Sequence, residues 1–336
     1  MINRKWRIII HISCLVFLMS VLPAWKVLGE TKKPTEYNVA WVPTGVAGTT
    51  YGIATAAATL INKYSPLPGL PKIQVSVIPG KGTTVHTRQL VEGKIDVGLS
   101  SPDVAGDAYN GRGDWAKFGA KGKDFRILLP VSVNAVQIIS MWDGPVKSFQ
   151  DIKGKRLGEM SKAMAMQKIN ASIFAAAGWD EDRDMKTTYY ENVATAFDGL
   201  RDGHADVIVQ FLGYPSAGGL ELFSIKHCRL ISIPDEVVKK VVSNNKILFP
   251  HTIAPNQYPK QDYPVPTVAL ILFWGVTTKM PSDVAYEICK ILHQHYKEGD
   301  EMNKLYGKFL ELFQKNEIPY HPGAEKYWRE VGLIKW

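Results

Sequence analysis

The chain has 336 residues, of which 46% are hydrophobic and 21% charged, and its 40 Lys and Arg against 32 Asp and Glu give a net charge of +8. Such a length allows two lobes of ordinary domain size, each with its own core. Without residues 1–29 the count falls to 36 bases against 32 acids, a net charge of +4. A surface this mildly basic, with no block of Lys and Arg, argues against a nucleic-acid-binding protein.

The N-terminus has the pattern of an export signal. Basic residues precede an apolar run at residues 8–22, and small residues surround a cleavage point near Gly29. The run is too short for a comfortable membrane span, and no later run reaches that length. We therefore predict that residues 1–29 are a cleaved signal peptide, with an uncleaved anchor as the alternative.

A strand, a turn and a helix are predicted at the start of the mature chain. Residues 37–42 are β-prone, and residues 52–64 are rich in Ala with apolar residues at helical spacing. A helix start leaves backbone N–H groups unpaired, and together with the helix dipole these donors suit an anion. The alternative is that Thr49 or Thr50 only caps the helix. The candidate ligand-binding residues of this turn are Gly48, Thr49, Thr50 and Tyr51.

Two more turns of the first half come after predicted strands. A strand at 73–78 leads into a second helix start, and a strand at 94–99 leads into a third. Asp103 is interpreted as a structural residue, because its carboxylate would repel an anion. The candidate ligand-binding residues of these turns are Lys81, Gly82, Thr83, Thr84, Ser100 and Ser101.

The second half of the chain repeats the design of the first. A strand at 155–158, a helix at 165–177 and a strand at 187–190 are followed by a second copy of an earlier pattern. One copy alone is a common helix end, but two copies after similar units indicate two similar α/β lobes. The matching residues are Leu90, Gly93, Asp96 and Val97 in one copy and Leu200, Gly203, Asp206 and Val207 in the other.

Two apolar passages, at 125–140 and 268–275, are predicted to carry the chain from lobe to lobe and back. Helices at 281–299 and 301–314 are expected to close the chain. Ligands of open α/β sheets bind beyond the carboxyl ends of the strands, so two facing lobes form one cleft that closes by a hinge. The predicted lobes are 34–132 with 266–336 for the first, and 133–265 for the second.

The second lobe contributes candidates from two places. Ser161 and Lys162 lie in the loop after a predicted strand, where Lys162 is either a charge in the cleft or part of a solvated loop. Gln210, Phe211 and Tyr214 are expected to follow a strand at 207–209, and aromatic walls with an amide are typical of small-ligand clefts. Phe211 is equally compatible with a place in the core.

Catalytic and metal sites are the other interpretations to weigh. His86 with Asp103 and a serine suggests acid–base chemistry, but the sequence has no Gly-x-Ser-x-Gly elbow and no evident pairing of a base with a nucleophile. Cys289, His293 and His295 suggest a metal, although their surroundings read as an ordinary amphipathic helix. We predict no enzyme activity, no metal and no cofactor. Whether Cys228 and Cys289 pair is left open.

Short motifs spread over the mature chain resemble one known family, the TAXI-type solute receptors of tripartite (TRAP) transporters. The matches lie in order along the chain, which makes the likeness specific although each motif is short. The matching residues are Thr44-Gly45, Gly48-Thr49-Thr50-Tyr51, Gly82-Thr83, Gly93-Lys94-x-Asp96-Val97-Gly98, Ser101-x-Asp103, Asp107-Ala108-Tyr109-Asn110-Gly111, Val146-Lys147-Ser148-Phe149, Val265-Pro266-Thr267-Val268 and Ile318-Pro319-x-His321-Pro322-Gly323.

This resemblance implies a two-lobed periplasmic binding protein, type II-like, that captures a small solute, commonly an organic anion such as an amino acid or carboxylate. The helix-start turns suit a sulfonate as well. The resemblance further implies delivery to a TRAP-type membrane permease, and a periplasmic location. A module that senses a ligand and signals to a membrane sensor is the alternative. The family's usual Gly-Ser-Gly-Thr-like loop in the second lobe is replaced here by residues 158–164, and this departure concerns the identity of the ligand.

Overall fold

The computed structural model describes residues 36–46, 48–162 and 164–336, and the predicted signal peptide lies outside the described residues. A single ten-stranded mixed sheet runs through this part of the chain, in the order β2-β1-β3-β10-β4-β7-β5-β6, with β8 paired to β4 and β9 paired to β10. The strands are β1 Glu36–Val42, β2 Lys72–Val77, β3 Val97–Ser100, β4 Phe125–Met141, β5 Arg156–Met160, β6 Lys186–Tyr190, β7 Val207–Gly213, β8 Cys228–Ile231, β9 Phe249–Ile253 and β10 Val265–Thr277.

The sheet has two equivalent halves. The order β2-β1-β3-β10 in one half is matched by β6-β5-β7-β4 in the other, and both halves have parallel pairs flanked by one long antiparallel strand. We call β1–β3 with their helices the first lobe, and β5–β7 with theirs the second lobe. The α/β class and the two-lobed organisation predicted from the sequence are therefore confirmed.

Two long strands join the lobes at the middle of the sheet. β4 and β10 pair with each other, antiparallel, from Ala135 opposite Ala269 to Phe125 opposite Thr277. Beyond that stretch β4 pairs with β7, and β10 pairs with β9. The two passages predicted to cross between the lobes are thus neighbouring strands of one sheet.

Ten α-helices and three 3-10 segments accompany the described strands. An apolar cluster beneath them includes Trp41 and Trp274, whose ring centroids are 5.3 Å apart in an edge-on arrangement. The α-helices are α1 Thr49–Tyr64, α2 Thr83–Glu92, α3 Pro102–Asn110, α4 Ala165–Ala176, α5 Val193–Arg201, α6 Ala217–Ile225, α7 Asp235–Asn244, α8 Ser282–Gln294, α9 Tyr296–Met302 and α10 Pro322–Glu330.

The sequence pattern that occurs twice has the same structural role in both lobes. Oδ2 of Asp96 accepts a hydrogen bond of 2.8 Å from the backbone N–H of Ala40 in β1. Oδ2 of Asp206 accepts one of 2.9 Å from the N–H of Arg156 at the start of β5. Each Asp also donates its own N–H to the carbonyl of that same residue. The paired Asp residues therefore tie the end of a helix to the neighbouring strand.

Three predicted elements differ from the structure. The strand predicted at 207–209 continues to Gly213, because Gln210, Phe211 and Leu212 keep their ladder pairs with β4. The predicted helix at 281–299 is two helices, α8 and α9, separated at His295. The predicted helix at 301–314 is wrong: α9 ends at Met302, and only a short 3-10 helix, Gly307–Glu311, occupies the rest of that range.

None of the helices in the described part of the chain combines the length and the apolar character that crossing a bilayer requires. Cys228 in β8 and Cys289 in α8 are both buried free thiols. Burial raises the pKa of the Cys228 thiol to about 11. Both cysteines therefore pack as small apolar residues.

Candidate functional site

A cavity of about 400 Å³ lies between the lobes, above the two long strands. The first lobe, the two crossing strands and the second lobe all contribute to its wall. Its lining residues are Thr44, Lys81, Gly82, Thr83, Thr84, Val85, Leu99, Ser101, Asp103, Asn134, Met164, Met166, Ile169, Phe211, Leu270 and Leu272. The volume is in the range of small-molecule binding sites.

The start of α2 forms the basic part of the cavity wall. Gly82 has φ 118°, a backbone conformation that favours glycine, and it turns the chain into Thr83 and Thr84. The N–H of Gly82 donates a hydrogen bond of 3.1 Å to Nε2 of His86. Lys81, exposed at the cavity, is the one cation among the described lining residues. This arrangement presents an ammonium group and two hydroxyls to the same space.

His86 is a structural support of this turn. Its side chain is fully buried, and burial lowers the pKa of His86 to about 4. The neutral ring accepts the N–H of Gly82 through Nε2, so the ring proton is on Nδ1. The acid–base role considered for His86 from the sequence has no support here, because the side chain does not line the cavity.

The turn before α1 is held by threonine hydroxyls. Oγ1 of Thr50 lies 2.8 Å from Oγ1 of Thr44 and accepts a hydrogen bond of 3.2 Å from the N–H of Thr44. A Cβ on Gly48 would lie 2.0 Å from Oγ1 of Thr44, so the turn needs glycine there. Because the hydroxyl of Thr50 is already hydrogen-bonded to Thr44, Thr50 positions Thr44 in the cavity wall.

Asn134 and the start of α1 lie beside the end of β7. A Cβ on Gly213 would be 3.5 Å from both Oδ1 of Asn134 and Oγ1 of Thr49. Thr49 therefore adjoins the cavity at Asn134, although it is not part of the lining. Because Gly213 has no side chain, the space next to the side chains of Asn134 and Thr49 stays open.

Four helices begin at or beside the cavity; α3 has Asp103 in its first turn, and the other three begin differently. α1, α2 and α4 begin with neither a side-chain cap nor an acidic residue in the first turn. The remaining described α-helices have one or the other: α5, α6 and α10 have side-chain caps, whereas α3, α7, α8 and α9 have an acidic residue in the first turn. The first N–H groups of α1, α2 and α4 thus keep unused capacity for an anion.

The structure brings Lys81, Gly82, Thr83, Thr84, Ser101 and Phe211 of the sequence-predicted residues together in the cavity wall. Ser101 is 6% exposed, and its hydroxyl has no hydrogen-bond partner among the described residues. Gly48, Thr49, Thr50 and Tyr51 belong to the adjoining turn and first helical turn. Binding by any of these residues stays a prediction.

The other predicted residues lie away from the cavity lining. Ser100 is fully buried and its Oγ is 2.6 Å from Oγ1 of Thr87. Lys162 is exposed and forms an ion pair with Asp182, and this bond raises the pKa of Lys162. The backbone N–H of Ser161 donates to the carbonyl of Tyr190.

Gln210 and Phe211 point to opposite faces of β7, because side chains alternate along a strand. Phe211 faces the cavity, whereas Gln210 is fully buried on the other face, opposite Gln137 of β4. Both amide atoms of Gln210 lack a hydrogen-bond partner among the described residues. Tyr214 lies beyond the strand, where its hydroxyl bonds to Nε2 of His251.

Several lining residues were not predicted as ligand-binding. Leu270 and Leu272 are part of an apolar run that is typical of plain core, and sequence alone gives no signal to separate them from it. Asn134 had a usable signal: it is a lone amide in an apolar passage predicted to cross between the lobes. Thr44, Val85, Leu99, Asp103, Met164, Met166 and Ile169 complete the set.

The residues weighed for a metal serve other contacts. Nδ1 of His293 is 2.8 Å from the hydroxyl of Tyr327, and the ring of His295 is stacked on Tyr64 at 3.5 Å. Cys289 is fully buried beside the carbonyl of Leu128. Within the described ranges, no group of three or more His, Cys, Asp or Glu is arranged to hold a metal ion.

A buried acid lies under the second lobe's edge of the cavity. Glu159, at the end of β5, is fully buried, and burial raises the pKa of its carboxyl to about 8. Its Oε1 accepts hydrogen bonds from Nδ2 of Asn170, at 2.7 Å, and from the N–H of Met160, at 2.6 Å. Asn170 belongs to α4, the helix that carries Met166 and Ile169 into the cavity wall.

Two α/β lobes joined by crossing strands, with a cavity between them lined from both sides, define a two-lobed binding-protein fold. The chain belongs to the NMT1-like family, whose model matches residues 43–332.

Solved structures of binding proteins are similar to this chain at low identity. The periplasmic aliphatic sulphonate binding protein SsuA from Escherichia coli has 13% identity and a TM-score of 0.49, over 88% of this chain and 84% of that chain. A TctC solute binding protein from Polaromonas has 14% identity and a TM-score of 0.47, over 91% and 100% of the two chains. The GlnP substrate binding domain 2 from Lactococcus lactis has 14% identity and a TM-score of 0.43, over 84% and 99%. Likeness at this level says nothing about what this chain binds.

Proposed function

We propose that this protein is an exported, non-enzymatic solute receptor that holds a small organic anion between its lobes. The observation that carries the proposal is that three of the four helix starts at the cavity, those of α1, α2 and α4, have neither a cap nor a first-turn acid, whereas α3 has Asp103 there. Unpaired N–H groups and the helix dipole favour a carboxylate or sulfonate there. Lys81 adds a full positive charge at the start of α2.

The delivery partner that we propose is a TRAP-type membrane permease, with the chain as a receptor of the TAXI type. The support is the order of short motifs along the mature chain that resemble those of TAXI-type receptors. Genes for membrane proteins with many spans beside this gene would favour a permease. A gene for a membrane sensor kinase in their place would favour the signalling alternative.

Closure of the lobes is part of the same proposal. The lobes are proposed as 34–132 with 266–336, and 133–265, and a ligand held by both would favour the closed form by its extra contacts. The exchange of partners by β4 and β10 near Ala135 and Ala269 supports a division at this place.

A thermal-shift screen tests the proposed ligand class. The purified protein, stripped of bound small molecules by unfolding and refolding, is screened against small carboxylates, sulfonates, amino acids and neutral sugars. We expect an anion to raise the midpoint of unfolding by several degrees at a hundredfold excess over its Kd, because it binds only the folded state. Lys81→Ala should reduce the rise at a fixed concentration of that anion.

Lys121→Ala is the matched control, since Lys121 is an exposed lysine outside the cavity lining. It should leave the shift unchanged. A rise with a neutral solute and with no anion would overturn the proposal that this receptor binds anions. An equal loss in both lysine variants would mean that Lys81 acts only through the net charge of the protein.

A further inference from the structure

The cavity between the lobes has an uneven distribution of polar groups. Its polar side chains come from the first lobe and from the crossing strand β4: Thr44, Lys81, Thr83, Thr84, Ser101, Asp103 and Asn134. Strands β5–β7 and their helices contribute only apolar side chains to the described lining: Met164, Met166, Ile169 and Phe211. A ligand that fills this space therefore meets hydrogen-bonding groups at one end and hydrocarbon at the other.

The apolar side of the cavity continues beyond the second lobe. Leu270 and Leu272 of β10 form its floor, and Leu99 and Val85 extend it into the first lobe. Val85 is 41% exposed and Met166 is partly buried, so the wall has apolar surface that a ligand could cover. Covering such surface is favourable by about 25 cal/mol for each Å² removed from water.

The charged side chains of the lining favour a single negative charge at the polar end of the ligand. Lys81 is the one cation among the described lining residues, and Asp103 is the one acid. A second carboxylate on the ligand would face either Asp103, which repels it, or the start of α4, where the N–H groups are open but Met164, Met166 and Ile169 supply neither a cation nor a polar side chain. Dicarboxylates and polyols therefore fit this lining poorly.

We propose that the ligand of this cavity is a monoanion with an apolar body, such as a medium-chain aliphatic carboxylate or sulfonate. Its charged head lies at Lys81 and the start of α2, and its hydrocarbon lies against Met164, Met166, Ile169 and Phe211. This inference rests on the proposed function and narrows it from small organic anions in general. The cavity of about 400 Å³ holds roughly a dozen water volumes, which leaves room for a chain of this kind.

The ligand's contact with the second lobe is then hydrophobic. The head is held by the first lobe alone, and only the hydrocarbon reaches the second lobe. A ligand with too short a chain would bind the first lobe without favouring closure. Chain length thus acts on affinity through the contact with α4 and β7.

Titration calorimetry on the purified, ligand-stripped protein tests this with a matched set of small molecules. Hexanoate and hexane-1-sulfonate have the head and the chain, hexan-1-ol lacks the charge, and adipate has the same carbon chain length with a second carboxylate. We expect both monoanions to bind at least tenfold more tightly than hexan-1-ol and adipate. From butyrate to hexanoate, affinity should rise about threefold to fourfold per added CH2 group.

Met166→Gln tests the apolar wall, and Met302→Gln is its control, since Met302 is an exposed methionine of α9 outside the cavity lining. M166Q should lower hexanoate affinity about tenfold and flatten the dependence on chain length, whereas M302Q should change neither. The ligand series in the unmodified protein stands even if M166Q folds poorly.

The outcomes separate this inference from the proposed function. Tight binding of adipate or of a short polar amino acid, lost in Lys81→Ala, would overturn the inference and keep an anion receptor. Binding of hexan-1-ol or a sugar in preference to every anion would overturn both. Failure of hexanoate and hexane-1-sulfonate to bind would overturn the inference.

Discussion

The buried ring of His86 supports a turn that forms part of the cavity wall. Its Nε2 accepts the N–H of Gly82, and this bond holds the turn in which Lys81, Thr83 and Thr84 face the cavity. Protonation would replace the acceptor by a donor and break the bond. Burial prevents this in the folded protein, because it lowers the pKa of His86 to about 4.

The lowered pKa predicts a loss of stability in mild acid. An unfolded chain takes up a proton on this ring near pH 6.5, whereas the folded one does so only near pH 4. The contribution of His86 is therefore present above about pH 6.5 and is lost as pH falls to 4, by roughly 3 kcal/mol. Urea unfolding at a series of pH values measures it.

His86→Asn keeps a side chain with an acceptor but does not titrate, so its free energy of unfolding should fall less between pH 6.5 and 4 than that of the unmodified protein. His204→Asn, at an exposed histidine, should keep the full dependence. Parallel curves for His86→Asn and the unmodified protein would contradict the assignment.

Glu159 gives the opposite dependence on pH. Burial raises the pKa of this carboxyl to about 8, while the unfolded value is near 4.5, so the folded state holds a proton that the unfolded state releases. Its contribution is fully present below about pH 4.5 and is lost as pH rises toward 8. Glu159→Gln, which keeps the acceptor for Asn170, should remove this loss.

From pH 5 to pH 8, we expect the free energy of unfolding of Glu159→Gln to rise relative to that of the unmodified protein by about 3–4 kcal/mol. Chemical denaturation at the two pH values measures the gain. Glu191→Gln, at an exposed glutamate, is the control and should match the unmodified protein. An unchanged difference between pH 5 and pH 8 would show that Glu159 is ionised in the folded state.

At the level of residues, the sequence indicated the basic and hydroxylated part of the cavity better than its apolar part. Lys81, Thr83 and Thr84 come after a strand and precede a helix, and that local pattern is enough to bring them to the wall. Gln210 was predicted to bind the ligand together with Phe211, because the strand at 207–209 was expected to end before them. Once β7 is known to continue, alternation sends the two side chains to opposite faces.

At the level of elements, the sequence pattern that occurs twice, at residues 90–97 and 200–207, connects the end of a helix to a neighbouring strand. Gly93 and Gly203, with φ 74° and 76°, end helices α2 and α5 in the left-handed conformation. Asp96 and Asp206 then bond to the backbone of β1 and β5. The recurrence that identified the two lobes in the sequence thus reflects a shared requirement of packing.

This role predicts a cost in stability without a cost in binding. Asp96→Ala should lower the free energy of unfolding by about 1.5–3 kcal/mol, since it leaves the N–H of Ala40 without its charged acceptor. Asp143→Ala, at an exposed aspartate, should change it little. Because Asp96 lies outside the cavity lining, the Kd for the ligand should be the same in both variants. Weakened binding in the folded Asp96→Ala protein would assign Asp96 to the site.

The C-terminal helices were the least predictable elements. Residues 301–314 contain apolar residues at helical spacing, but Tyr306 and Phe309 of that segment pack on each other, and Phe309 packs on Trp328, as an aromatic cluster. Gly299 accommodates the ring of Tyr306, since a Cβ there would lie 2.3 Å from it. Contacts with residues farther along the sequence, such as Trp328, therefore set the backbone conformation of residues 301–314. The local spacing of apolar residues does not reveal such contacts.

For the whole molecule, the doubled organisation was readable in advance and the pairing of the halves was not. Strand, loop and helix units recur in the sequence, and each lobe has one set. The sequence does not say that β4 and β10 are neighbours, because their contact depends on the complete sheet. Asn134, Leu270 and Leu272 enter the cavity wall through that pairing, so the sequence did not place them there, although Asn134 was recognisable as a lone amide.

The central position of β10 also decides when the molecule can be completed during synthesis. β1, β2 and β3 leave the ribosome early, yet the strand that covers the edge of β3 comes from residues 273–275, late in the gene. Until then the first lobe keeps an open strand edge, while the strands of the second lobe are already made. A premature stop codon anywhere before β10 therefore leaves β3 without its antiparallel neighbour. It also removes Leu270 and Leu272 from the cavity wall.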